Sequence, residues 1–160
     1  MTAAAARSDL ESPPTVGERP LTSCIELVFA PPRNAAPGAV PGLAEHSAAL
    51  HIALGRWLLL DADAQAVAAA VAAGAVAIDV EGKWRCFEIR GARAVSLLSA
   101  GVNVAEILEG RDCAVVPLFD CPTVIARFPR DDGFDVYVHA SYAASLHSAL
   151  QMALQRSARS

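Results

Sequence analysis

The 160-residue sequence predicts an α+β fold: antiparallel sheet hairpins covered by two to three helices. Three observations carry that prediction. Short apolar runs of strand length recur from residue 56 to residue 139, glycine or proline marks the links between them, and alanine- or leucine-rich stretches of helical length lie in between. The composition agrees, since 54% of residues are hydrophobic and only 19% charged, against about a quarter in an average domain. So much apolar surface collapses, which excludes a disordered chain. A net charge of −4, with Lys83 the single lysine among 13 basic residues, excludes a charge-driven nucleic-acid binder.

In chain order, residues 1–42 are expected to form a flexible Pro/Gly-rich N-terminal region with one possible strand at 21–30, Leu-Thr-Ser-Cys-Ile-Glu-Leu-Val-Phe-Ala. Pro31-Pro32 ends that run, and the segment from Pro31 to Gly42 suits neither helix nor central sheet. A single α+β domain is expected over 43–160. Its first strand is Arg56–Asp61, and Asp61 or Asp63 can cap the helix Ala64–Ala73, which Gly74 closes. Ala75–Val80 and Trp84–Arg90 read as a hairpin joined by Glu81-Gly82-Lys83. In the second of these, Trp84, Cys86 and Glu88 share one face, with Arg85, Phe87 and Ile89 on the other.

Gly91 opens a helix over Ala92–Ala100, stopped by Gly101, and Asn103–Leu108 suggests a helical turn. A second, sheet-richer round of the same order follows. Cys113–Phe119 and Thr123–Phe128 flank a turn at Asp120-Cys121-Pro122. Phe134–His139 alternates, with Phe134, Val136 and Val138 on one face and Asp135, Tyr137 and His139 on the other, as in a half-exposed strand. Ser141 can cap the last helix, Tyr142–Gln155, whose apolar stripe is Leu146, Ala149, Leu150, Ala153 and Leu154.

No secretory leader is expected, because Arg7, Asp9 and Glu11 interrupt the opening before any apolar stretch. The most apolar window, Ala64–Ile78, is shorter than the roughly 20 residues of a spanning helix. The expected location is the cytoplasm, with no membrane and no nucleic acid as partner. Cys24, Cys86, Cys113 and Cys121 show no metal-ligand spacing and read as reduced, mostly buried thiols.

The residues able to do chemistry form no constellation. Ser145 and His147 lie about 200° apart on a helix, so they make no dyad, and no G-x-S-x-G elbow exists. His46 and His51 miss the i, i+4 spacing of a two-histidine metal site, and His139 suits a surface or capping place. Asp131-Asp132-Gly133 lacks the calcium-loop spacing and reads as a turn. Glu106 and Glu109 read as solvated. No catalytic, cofactor-binding or metal-ligating residue is therefore assigned in this chain.

The segment from Leu54 to Ala153 nevertheless resembles, block by block, the gamma subunit of heterotetrameric sarcosine oxidase. Gly55-Arg56-Trp57-Leu58-Leu59-Leu60 is similar to the family's Trp-Leu-Leu strand. Asp79-Val80 and the run from Phe87 through Gly91-Ala92-Arg93-Ala94 to Leu97-Leu98 are similar to its strand, hairpin and helix. Gly101-Val102-Asn103-Val104 takes the place of its Gly-Cys-Pro stretch, and Phe134–Val138 with Ser141–Leu146 resembles its closing strand and helix. Ala92, Val102 and His139-Ala140 replace the family's proline, cysteine and arginine, so the chain resembles a divergent member.

The resemblance implies a fold similar to part of the aminomethyltransferase, folate-binding domain. It also implies a non-catalytic subunit of an oxidoreductase complex that demethylates sarcosine or a related N-methyl amine, in sarcosine catabolism and one-carbon metabolism. The implied partners are the alpha subunit, in direct contact, and the beta and delta subunits. FAD, FMN, NAD and tetrahydrofolate are implied for those partners and none for this chain. Two alternatives stand beside it: a free-standing folate-binding aminomethyltransferase-like protein, and a small structural or ligand-sensing α+β module.

Overall fold

The computed structural model describes residues 13–30, 49–127 and 133–158. Their elements, in order, are β1 (Thr15–Arg19), β2 (Cys24–Phe29), β3 (Ala49–Ala53), β4 (Arg56–Leu60), α1 (Ala64–Ala72), β5 (Ala75–Asp79) and β6 (Trp84–Arg90). There follow α2 (Ala94–Ser99), α3 (Val104–Ile107), β7 (Cys113–Leu118), β8 (Cys121–Arg127), β9 (Gly133–His139), a 3₁₀ turn (Ala140–Tyr142) and α4 (Ala143–Ser157). The expected α+β class holds, and every strand register that can be read is antiparallel.

The chain divides into two compact units, Pro20–Trp84 and the remainder, where one domain over 43–160 was expected. Two strands precede residue 43. One is the strand expected at 21–30, observed as β2, and the other is β1, inside the stretch read as tail. The segment Pro31–Gly42 and the expected domain start at Leu43 lie outside the described residues.

In the unit Pro20–Trp84, the four strands run in the order β3-β4-β2-β5. Alternation sets the faces. Leu27, Phe29, Trp57, Leu59 and Ala75 point to one side, where they pack on Ala66 and Ala70 of α1. The helix forms because its run is nearly all alanine and valine, with Asp63 accepting from the Ala66 N–H at 2.7 Å as N-cap. Asp61 does something else: it takes a left-handed φ of 47° and accepts from Thr22 N and Oγ1, at 3.1 and 2.5 Å. Gly74, at φ 95°, ends the helix as expected.

The other unit holds five strands in the order β1-β6-β9-β8-β7. One face of this sheet is covered by α2, α3 and α4. Phe87, Ile89, Ile125, Phe134, Val136 and Val138 from the strands meet Leu97, Leu98, Val104, Leu146 and Leu150 from the helices in one core. Their summed burial, at roughly 25 cal/mol per Å² of apolar area, is what holds the layers together.

Two expected turns move. The β7–β8 hairpin turns at Phe119-Asp120, both at positive φ (49° and 63°), with Leu118 paired to Cys121, so Cys121 and Pro122 already belong to β8. The hairpin expected from Ala75–Val80 and Trp84–Arg90 does not form: β5 pairs with β2, and β6 with β1 and β9 in the other sheet. The order strand, helix, strand, strand, helix is present from β4 to α2, but its last two strands join different sheets. At the last helix, Ser141 is not the cap. His139 Nδ1 accepts from the Ser141 N–H at 3.5 Å and starts the 3₁₀ turn that leads into α4.

Candidate functional site

The strand β9 departs most from expectation. Its alternation is there, but both faces are buried: Asp135 is 3% exposed and Tyr137 fully covered, where a half-exposed strand was expected. A carboxylate is costly to bury without partners, so its partners define the site. They come from β6 and β1. On β6, Cys86, Glu88 and Arg90 share the face opposite Phe87 and Ile89, and on β1 Arg19 stands opposite Cys86 in register.

The resulting cluster has two guanidinium groups against two carboxylates. Asp135 Oδ1 accepts from Arg90 Nη2 at 2.5 Å, and Oδ2 accepts from Arg19 Nη2 at 3.0 Å and from Tyr137 Oη at 3.1 Å. Arg19 Nη2 also lies 3.2 Å from Tyr137 Oη and 3.7 Å from Cys86 Sγ. Glu88 Oε1 bridges both arginines, 2.9 Å from Arg19 Nε and 3.3 Å from Arg90 Nη2. Arg90 Nη1 finally donates to the Phe134 carbonyl at 2.7 Å, tying β6 to the backbone of β9.

These contacts tune the groups away from chemistry. Burial, then the Asp135 charge, pushes the Cys86 thiol up to about 12, against the opposing pull of Arg19. Burial, Cys86 and Asp135 raise Tyr137 well above the ordinary phenol range. Burial works against the Arg19 charge, but Cys86, Tyr137 and Asp135 outweigh it and hold the guanidinium protonated. A protonated thiol is a poor nucleophile, and a phenol with so high a pKa is a poor acid at neutral pH. The contacts of the cluster tie the three strands β1, β6 and β9 to one another.

The unit Pro20–Trp84 has a smaller counterpart. Arg56 of β4 pairs with Glu26 of β2, whose carboxylate is nearly buried. In the same sheet Trp57 is 1% exposed and lies against His51 in a tilted arrangement, with ring centroids 4.5 Å apart, and its indole N–H has no hydrogen-bond partner among the described residues. Such an unpaired donor costs about 1–3 kcal/mol. Burial, with Asp61, Asp79 and Glu26 nearby, pushes the Cys24 thiol up to about 12 as well.

The residues weighed in the sequence are not brought together. Ser145 and His147 are exposed on α4, and His147 Nε2 lies 3.2 Å from Gln151 Nε2. Glu106 accepts from Asn103 Nδ2 at 2.9 Å. Cys24, Cys86 and Cys121 are buried free thiols, and Cys113 is half-buried. His46, Asp131 and Asp132 lie outside the described residues. Among the described residues no group of three or more His, Cys, Asp or Glu is placed to hold a metal ion, and no helix is long and apolar enough to cross a membrane.

No protein-family profile matches the sequence, and no curated protein does. The backbone does have a counterpart. A chain in the structure of the heterotetrameric sarcosine oxidase from Corynebacterium sp. U-96, in complex with pyrrole 2-carboxylate, matches it with a TM-score of 0.68 at 15% identity. The two chains share a fold. The match covers 96% of this chain and 91% of the sarcosine oxidase chain, so it runs whole chain to whole chain between proteins of similar length. It therefore takes in the N-terminal third, which the block-by-block sequence resemblance leaves out.

Proposed function

We propose that this chain is a non-catalytic, gamma-type subunit of a heterotetrameric sarcosine oxidase-like flavoenzyme that oxidatively demethylates sarcosine or a related N-methyl amine or amino acid. In this reading it packs directly on an alpha subunit, beta and delta subunits complete the complex, and FAD, FMN, NAD and tetrahydrofolate belong to the partners in a cytoplasmic assembly. The observation that carries the reading is the end-to-end fold correspondence with a chain of a heterotetrameric sarcosine oxidase. The surface supports it. Val76 (59% exposed) and Ile78 stand on the edge strand β5, Val115 on the edge strand β7, and Met152 on α4, on a chain poor in charge.

The experiment is affinity purification of the tagged full-length chain from its own cells. Large flavin-containing subunits should co-elute, with sarcosine- or N-methyl-amine-dependent reduction of the bound flavin. Elution as a lone monomer, without flavoprotein, overturns the proposal.

A further inference from the structure

The five residues of β1 are weakly anchored by apolar contact. None is buried, and Val16 alone reaches the core under the helices. Just ahead of the strand, Pro14 lies beside Gly91. At its end the picture changes, since the Arg19 side chain makes contacts with Cys86 and Glu88 on β6 and, beyond it, with Asp135 and Tyr137 on β9. Pro20 follows at once and removes the next backbone donor, so the ladder to β6 cannot run on through it.

The pairing is also remote in sequence. β1 belongs to the same unit as Arg85–Ser160, and the whole segment Pro20–Trp84 intervenes before its partner strand arrives. Such a contact repays loop-closure entropy late in folding, and a strand with few buried apolar contacts belongs to the low-stability end of a fold. By contrast β9 is buried along nearly its whole length and β8 along most of it.

Loss of β1 would not strand the buried carboxylate. Asp135 Oδ1 keeps Arg90, and Oδ2 keeps the Tyr137 hydroxyl. Glu88 likewise keeps Arg90. The charges that remain are still paired, and the helix-covered core, apart from Val16, is drawn from other elements.

From this we infer that β1 is a detachable strap on the edge of the five-stranded sheet, with Arg19 as its catch: it docks and undocks while the rest of the sheet stays folded. When it leaves, β6 becomes the sheet edge.

Hydrogen exchange on the full-length chain, read by mass spectrometry, tests this. The amides of β1 that bond to β6 should exchange about a hundredfold faster than those of β8 and β9. Arg19→Gln should speed β1 by about a further tenfold and leave β8 and β9 unchanged. Protection of β1 equal to that of β8 and β9 overturns the inference. So does an Arg19→Gln variant with unchanged β1 exchange, or one that loses protection throughout because the sheet does not form without its catch.

Discussion

Gly133, the first residue of β9, faces the backbone carbonyl of Ile89 on β6 so closely that a Cβ at 133 would overlap its oxygen. The same Cβ would meet the Arg90 Cα at 3.2 Å, so backbone on β6 would have to give way. Gly133→Ala should therefore cost about 1–3 kcal/mol. Gly17 on β1 has nothing within 4 Å of the corresponding position, so Gly17→Ala should stay within about 0.5 kcal/mol of the parent. Urea unfolding of both variants checks the contrast.

Asp135 holds three donors from three different residues while nearly excluded from water. Asp135→Asn removes the charge that two guanidiniums face, and should cost about 2–3 kcal/mol. Tyr137→Phe deletes one donor and leaves both ion pairs, and should cost about 1 kcal/mol. Because all these groups share one network, the double variant should fall short of the sum of the two. Thermal unfolding of the four proteins reads the coupling directly.

Two of the three buried thiols, Cys24 and Cys86, make the fold sensitive to alkali. Cys24 and Cys86 are pushed up to about 12, so the folded chain keeps their protons where the unfolded chain, with thiols near 9, releases them. Their contribution is fully present below pH 9 and is lost as pH rises from about 9 towards 12. Each thiol should take away about 1.4 kcal/mol per pH unit in that window. Stability measured between pH 7 and 11 should be level on this account up to about pH 9 and then fall. Replacing Cys24 and Cys86 by alanine should flatten the part of the slope that begins near 9, leaving the later part due to Tyr137.

Much of the local structure was legible. Trp84–Arg90 is a strand with the expected bounds, with Phe87 and Ile89 on one face and Cys86 and Glu88 on the other as its period predicts, and the alanine run of α1 has its cap and its closing glycine in sequence. The strand β1 was not legible. Thr-Val-Gly-Glu-Arg has two charges, a glycine and one large apolar residue, and it is a strand only because β6 pairs with it. The link Glu81-Gly82-Lys83 carries a hairpin's local chemistry, with Gly82 at φ 76° and Lys83 N donating to Val80 O at 3.0 Å. Local chemistry says where a chain turns and is silent on which sheet each arm joins.

The charged cluster was half visible for the same reason. Glu88 and Arg90 lie two apart on one strand, Asp135 and Tyr137 two apart on another, and such polar rows normally mean a solvated face. Only the adjacency of β6 and β9, together with Arg19 from β1, shows that the rows neutralise each other. The signal that was available is the pairing of opposite charges on two like-patterned strands. It becomes readable once the strand order is known.

The chain path that splits one unit around the other also sets an order of events during synthesis. Thr15–Arg19 leaves the ribosome well before Arg85–Arg90 exists to receive it, a wait of roughly 3 to 13 s at ordinary translation rates of about 5–20 residues per second. Pro20–Trp84 contains all four strands of its own sheet and its helix, so that sheet is complete in the growing chain before β6 is. The earliest residues made are thus among the last to find their place.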